Sequence, residues 1–439
     1  MTSVPPAGNP ATPASRWGSF SWCLYDWANS AFPTVITTFV FSAYFIKAIA
    51  ADEISGTSQW GWALSLSGLA VAVAAPLLGA IADFGGRRKP WIFAFTVLCA
   101  ALTGLLWNAR PDAAFVLLAL VLAGGANFAF EMAMVFYNAM LPDLTTQSRI
   151  GRLSGWGWGL GYAGGLACLG LALVALVDAE TPVFGLDKET SEHLRAMGPM
   201  VALWMVVFAV PLFLWTPDRP ARAIAPIAAV RQGWSALTGT LSRVRDFRPV
   251  VRYLFARMLY ADGLNTLFAF GGIYAAGTFG MDFSELIIFG IAINVTAGLG
   301  AAGFAWVDDW IGPKRTIQIA VTGLIVMGGA LVLVEGKTLF WVFALPLGIF
   351  VGPAQAASRS MMAHMAPADM RTEMFGLYAL SGKATAFLGP ALLAWVTVAF
   401  DSQRAGMATI LVFLLVGLAL LAGVPDLRGE NRTNPPVGR

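Results

Sequence analysis

The stretch Asp26-Trp27-Ala28-Asn29-Ser30-Ala31-Phe32 returns 236 residues later as Asp262-Gly263-Leu264-Asn265-Thr266-Leu267-Phe268, a shared DxxN[ST]xF. Each copy sits inside an apolar run, where an aspartate is costly, so its reuse points to a duplicated unit. A second pair of segments agrees. Asp83-Phe84-Gly85-Gly86-Arg87-Arg88-Lys89 and Asp309-Trp310-Ile311-Gly312-Pro313-Lys314-Arg315 share DxxGx[KR][KR] at an offset of 226. A weaker third pair aligns Asn127 and Glu131 with Gln355 and Arg359, both at an offset of 228. Duplicated bundles of membrane helices are a recurrent carrier architecture, with the substrate site between the repeats.

Composition supplies the setting. Hydrophobic residues make up 57% of the 439 and charged residues 12%, whereas a soluble domain carries about 25% charge. Apolar runs of about 20 residues recur along the chain, closed by short clusters of Gly, Pro or charge. They predict about twelve spans, starting near residues 20, 60, 90, 113, 153, 198, 250, 284, 315, 339, 373 and 404. The expected fold is an all-α polytopic membrane protein with two pseudo-symmetric six-helix bundles. The boundaries read as a disordered cytoplasmic tail at 1–19, a first bundle at 20–217, a cytoplasmic linker at 218–249, a second bundle at 250–425 and a tail at 426–439. Within the linker, residues 230–245 suit an amphipathic helix on the anionic inner leaflet or a solvated connection.

Basic residues orient the spans, because Lys and Arg concentrate in cytoplasmic loops. Arg87, Arg88, Lys89, Arg149, Arg152, the run of Arg from 219 to 252, Lys314, Arg315 and Arg371 share one side with the termini. The other side carries only Lys47, Arg110, Lys188, Arg195, Lys337 and Arg404. Both termini are therefore expected in the cytoplasm, and the net charge of +3 needs no nucleic-acid partner. Cys23, Cys99 and Cys168 fall inside predicted spans and read as small apolar residues rather than a disulfide framework. With only His193 and His364 in the sequence, no metal site is expected, and no cofactor. A membrane enzyme would need a nucleophile and base fixed at membrane depth, and neither histidine falls within a span.

The Asp, Gly and basic cluster between the second and third spans resembles the signature loop of the major facilitator superfamily. Within it, the chain resembles the vacuole-effluxer-like branch, also called the unknown major facilitator family. The resemblance is carried by LYDWANSAF at 24–32, YNAMLPDL at 137–144, GRLSGWGWGLGYAGG at 151–165, ARMLYADGLNTLFAFGGIYAAG at 256–277 and FGLYALSGKATAFLGP at 375–390. It implies a secondary active transporter, and amino acids as solute with inward movement. Its partners would be the bilayer, a small molecule and protons. A bacterial inner membrane and a monomer are expected. Export of drugs, sugars or siderophores in the same fold is the alternative, as is a sensor or scaffold that transports nothing.

Charges inside spans are functional candidates because each costs a few kcal/mol to bury in lipid. Asp26, Glu131, Arg257, Asp262, Arg359 and Lys383 are such residues. Asp262 and Lys383 lie roughly 15 Å into their spans, near the bilayer centre. A proton-coupled carrier needs a buried carboxylate that gains and loses a proton. Asp262 comes first for that role, then Asp26 and Glu131, each also readable as a structural partner of a nearby cation. Lys383 suits a substrate carboxylate, with Asn29, Asn265, Asn294, Gln355 and Arg359 as polar contacts. Pairing of Lys383 with Asp26 or Asp262, and of Glu131 with Arg359, are the structural alternatives. The loop charges Asp83, Arg87, Arg88, Asp309, Lys314 and Arg315 are expected to gate a rocking carrier rather than touch substrate.

Overall fold

The computed structural model describes residues 14–177, 179, 183–222, 226–242 and 247–426. Eleven of its helices are long and apolar enough to cross a bilayer. Six precede the linker: Arg16–Ile49, Glu53–Gly85, Lys89–Asn108, Ala113–Leu144, Gln147–Val177 and Glu192–Trp215. Five follow in the second half: Glu285–Ile311, Pro313–Leu333, Lys337–Met365, Arg371–Ala399 and Gln403–Ala422. The helix Arg248–Phe279, 32 residues long, occupies the place of the seventh span. Arg257 and Asp262 in its middle make it less apolar than the rest, and its neighbours in the second half cover it. The chain is a multi-pass membrane protein with two six-helix bundles. The first span begins at Arg16, capped by the Ser15 hydroxyl, so residues 16–19, expected in a disordered tail, are helical. Residues 1–13 and 427–439 of the expected tails lie outside the described residues.

Local chemistry sets the ends of the spans. The Asp52 carboxylate accepts the Ile54 and Ser55 backbone N–H groups and caps the second span, which leaves its acid weaker in proton affinity than an ordinary carboxylate. Gly86, at φ 81, turns the chain out of that span into the loop where Pro220 leaves no room for a side chain. Asp282 and Glu285 form a capping box at the start of the eighth span.

The linker carries a helix at Pro226–Ser242 laid along the second span, where Gly233 packs on Ile81. Val230 and Trp234 are exposed on its outer side. Arg243 and Arg245 of the expected amphipathic helix lie outside the described residues. The end of the molecule that carries the linker is called the linker face below. Ala14, bonded to Leu144, and Asp426, beside Arg315, lie on it too.

The halves meet most closely toward the linker face. One apolar core runs there from Trp22, Phe136 and Tyr137 in the first half into Tyr253, Met361 and Phe375 in the second. At the far end the first half has a separate core around Phe32, Phe45, Trp60 and Met197. Glycines permit the close approach. A Cβ on Gly79 would stand 2.5 Å from the Thr372 carbonyl, one on Gly376 2.5 Å from the Ala75 carbonyl, and one on Gly155 2.6 Å from the Ala301 carbonyl. The glycine-rich fifth span thus has two small-residue faces. Gly155 and Gly159 meet the eighth span, and Gly157, Gly161 and Gly165 meet the first.

Candidate functional site

The seam between the halves is crossed at the linker face by two charge networks related by the duplication. Asp83, at the end of the second span, accepts the Glu373 backbone N–H at 2.9 Å and the Thr372 hydroxyl at 2.6 Å. Asp309, its counterpart in the eighth span, accepts the Arg152 backbone N–H at 3.2 Å and the Arg152 guanidinium at 2.7 Å. Each aspartate therefore sits at the first turns of a helix in the opposite half, where exposed N–H groups attract an anion. Around Asp83 the network widens. Asp143 accepts Arg88 at 2.6 Å, Arg219 at 2.7 Å, and Arg371 from the other half. Asp218 accepts the Arg88 and Lys89 backbone N–H groups at the start of the third span, which fixes Arg88 so that its Nε reaches Thr372 at 2.9 Å.

Deeper in the seam Asp26 and Arg359 form a buried pair at 2.9 Å, with exposures of 7% and 1% for the two side chains. Tyr137 donates its hydroxyl to the same Asp26 oxygen at 2.8 Å. Arg359 also donates to the Ser154 carbonyl at 2.6 Å, and its guanidinium lies over Trp22. A carboxylate and a guanidinium buried this fully need such extra hydrogen bonds to offset lost hydration.

Beyond that pair lies a cavity of about 220 Å³ between the fourth, fifth, seventh, tenth and eleventh spans. Glu131 and Lys383 pair in its wall at 2.7 Å, both half-buried. Gln355 accepts the Tyr162 hydroxyl at 2.6 Å, and Asn138, Asn265 and Arg257 also line the space. Arg257 lies 3.5 Å above the Tyr378 ring centre. A second cavity of about 410 Å³ occupies the side away from the linker face, and Trp158 lines both. Its walls are largely apolar, with Phe39, Phe268, Phe289 and Phe340 among them, and with Ser30, Thr34 and Asn294 as polar members. The first span is π-helical from Phe32 to Phe39 where it forms that wall, a departure from regular helix typical of functional segments.

The eleventh span is interrupted beside Lys383. Its first helix, Arg371–Lys383, stops there and a second, Leu388–Ala399, begins after a run of turns. At the restart the Gly389 backbone N–H donates to Asp262 at 3.2 Å. Asp262 is 2% exposed and its other carboxylate oxygen has no hydrogen-bond partner among the described residues.

The structure brings Glu131, Lys383, Asn265, Gln355 and Arg359 to one cavity and puts Asn294 on the other. Several sequence expectations change. The side-chain amide of Asn29 donates to the Met134 sulfur at 3.1 Å instead of lining a cavity. Asp262 lines neither cavity. Glu131 pairs with Lys383 and Arg359 with Asp26, so the two ion pairs exchange partners relative to the expected alternatives. Among the loop charges, Arg87 is exposed. Lys314 donates to the Ala422 and Val424 carbonyls and Arg315 meets Asp426 at 3.4 Å, all within the second half. That leaves Asp83, Arg88 and Asp309 at the seam. Sequence reading missed Asp143, Arg152, Arg219, Arg371 and Thr372, although Asp143 lies in the quoted YNAMLPDL segment.

Comparison with known proteins agrees with this architecture. Residues 46–434 match the family model described as vacuole effluxer Atg22 like. An uncharacterized MFS-type transporter, YxiO of Bacillus subtilis (strain 168), is 28% identical over 92% of this chain and 94% of its own. Autophagy-related protein 22 of Coccidioides immitis (strain RS) is 24% identical over 85% of this chain and 73% of its own. Among solved structures, the human organic anion transporter MFSD10 superposes with a TM-score of 0.69 at 15% identity, covering 93% of this chain and 100% of that one. FucP in its outward conformation gives 0.70 at 13% identity, covering 93% and 98%. The last two establish the fold. With its six-helix halves, its crossed seam and a family match over most of its length, the chain belongs to the Atg22-like vacuole effluxer family of major facilitator transporters.

Proposed function

We propose that this protein is a secondary carrier that moves a small polar solute by alternating access, with the cavity lined by Glu131 and Lys383 as its substrate site. The linker-face network acts as the gate on one side. The observation that carries the reading is the placement of the seam contacts. Asp83 with Thr372, Asp143 with Arg371, Arg152 with Asp309 and Asp26 with Arg359 all lie on the linker side of the cavity, while the larger cavity lies on the other side. A carrier closed at one end and hollow toward the other has the arrangement of one end state of a rocking cycle. The linker face is the cytoplasmic one in this reading, as the basic loops require, and the state is outward-facing. A bacterial cytoplasmic membrane fits the full-length similarity to the Bacillus subtilis relative.

Proton coupling rests on Asp262 in this proposal. Asp26 and Glu131 each have a cationic partner. Asp262 is buried with one oxygen unsatisfied, a state that a proton on that oxygen relieves. Its hydrogen bond to Gly389 ties it to the helix that restarts after the break in the eleventh span, which links proton occupancy to the break that follows Lys383. Amino acids lead as solute through family resemblance. The test is uptake of a mixed labelled amino-acid pool into liposomes holding the protein, under an inward proton gradient, with and without a protonophore. Uptake that the protonophore collapses supports the reading, and gradient-independent or absent uptake by correctly inserted protein counts against it.

A further inference from the structure

The central cavity carries an uncompensated positive charge. Four charged side chains line it: Glu131, Arg257, Arg359 and Lys383. Lys383 is neutralised by Glu131 at 2.7 Å and Arg359 by Asp26 at 2.9 Å. Arg257 has no carboxylate partner among the described residues. Both of its hydrogen bonds leave from Nη1, to the Tyr378 carbonyl at 2.7 Å and the Ser381 hydroxyl at 2.8 Å. Its Nε and Nη2 make none among the described residues, yet neither atom is sealed away, since the buried donors without partners do not include them. The Tyr378 ring 3.5 Å below holds the guanidinium plane in place. What remains is a fixed, planar, cationic fork at mid-span that lines the cavity, with its Nε/Nη2 edge free and Nη1 engaged.

A guanidinium in that position suits a planar anion, because a carboxylate accepts two parallel N–H groups from it. A cation held in a site of low dielectric without a counter-ion is costly, and an anion of single charge restores neutrality. A doubly charged phosphate ester would overshoot it. The neighbouring cavity, which has Trp158 as a shared wall, is lined mainly by phenylalanine and aliphatic side chains and would take an apolar group once that side chain turns aside.

We infer that Arg257 is the anion seat of the central cavity and that the ligand it selects is an organic monocarboxylate with an apolar body lodged toward Phe268 and Phe289. The inference rests on the carrier reading above but departs from its amino-acid solute, because a zwitterion brings no net charge to offset Arg257. Lys383, engaged by Glu131, is not the seat. Gly382 has a part in shaping it, because a Cβ there would stand 3.0 Å from Arg257 Nη1 and 3.2 Å from Nη2.

The test uses the purified full chain in lipid nanodiscs and two labelled probes, 3-phenylpropanoate and cyclohexanecarboxylate, each compared with its own primary amide in equilibrium binding. The wild type is expected to bind each acid about 10-fold or more tightly than its amide, the order of one charge-assisted contact. Arg257→Gln removes that preference by bringing acid binding down to the level of the amide, and Arg257→Lys retains part of it. Gly382→Ala, which keeps every charge, lowers acid binding several-fold without touching the amide, and it carries the test should Arg257→Gln fail to fold. The inference is overturned if the wild type does not prefer acid to amide, if no probe binds, if Arg257→Gln weakens acid and amide alike, or if the preference survives in Arg257→Gln and disappears in Lys383→Gln. Opening of the seam, followed with spin labels, does not involve Arg257. Acid–amide indifference in a protein whose seam still opens rejects the anion seat alone, and a seam that never opens rejects the carrier reading.

Discussion

Asp26 of the first span and Arg359 of the tenth meet 2.9 Å apart with almost no solvent contact, and they join the two halves at the depth where the linker-face closure ends. Gly157 of the fifth span leaves the room, since a Cβ there would stand 2.5 Å from the carboxylate and 2.8 Å from the guanidinium. Removing one partner strands the other charge in an apolar seam, which costs about 3–5 kcal/mol. Asp26→Asn is therefore expected to lower the thermal midpoint clearly, and Asp26→Leu combined with Arg359→Met to recover much of the loss. A double variant as unstable as the single one would remove the pair from the account of the closed seam.

The Arg152–Asp309 pair crosses the same seam under different physics. Arg152 is 41% exposed, and a pair with one partner so wet contributes about 0–1 kcal/mol. Arg152→Ala should leave thermal stability nearly unchanged and shift the balance of conformations instead, read as faster alkylation of a cysteine placed at the linker-face end of the fifth span. A large stability loss with unchanged alkylation contradicts this assignment.

The duplication, the membrane setting, the seven-residue motifs and the charged mid-span positions were all legible in the sequence, because each depends on local order along the chain. Partner choice was not. Asp143 finds Arg371 from 228 residues away, and nothing in YNAMLPDL announces that meeting. Glu131 and Arg359 occupy equivalent places in the repeat, which suggested that they pair. In the folded chain the first span supplies Asp26 to Arg359, and the fourth turns Glu131 toward Lys383. The interruption after Lys383 does have a local signal, because Pro390 has no N–H for the Ala386 carbonyl and its ring crowds that position. What the sequence does not announce is the partner at the restart, where the Gly389 N–H finds Asp262 of the seventh span.

Close packing at the seam yields a prediction that needs no charge. Gly376→Ala places a Cβ 2.5 Å from the Ala75 carbonyl, closer than van der Waals contact allows, and the second and eleventh spans must part. The variant is expected to lose the closed linker face while keeping its helices intact. Circular dichroism should be unchanged, and protease sensitivity of the linker helix, which lies on the second span, should rise. Unchanged protease sensitivity would show that the spans absorb the methyl group.

Asp262→Asn separates coupling from movement. The amide keeps the size of the side chain and its acceptor oxygen for the Gly389 N–H but cannot carry a proton. Exchange of labelled for unlabelled solute across the liposome membrane should persist, and accumulation driven by a proton gradient should disappear. Retained accumulation moves the coupling role to Asp26 or Glu131.

The most direct test of alternating access across this seam is a distance distribution between spin labels at Arg87 and Asp369, both exposed at the linker face on opposite halves. It is measured in nanodiscs by pulsed electron resonance, with the buried Cys23, Cys99 and Cys168 replaced. The account expects two populations, a shorter one matching the closed face and a longer one. Asp143→Ala, which releases Arg88, Arg219 and Arg371 together, should transfer weight to the longer. A single distance that the substitution leaves unchanged would contradict the gate and the carrier cycle built on it.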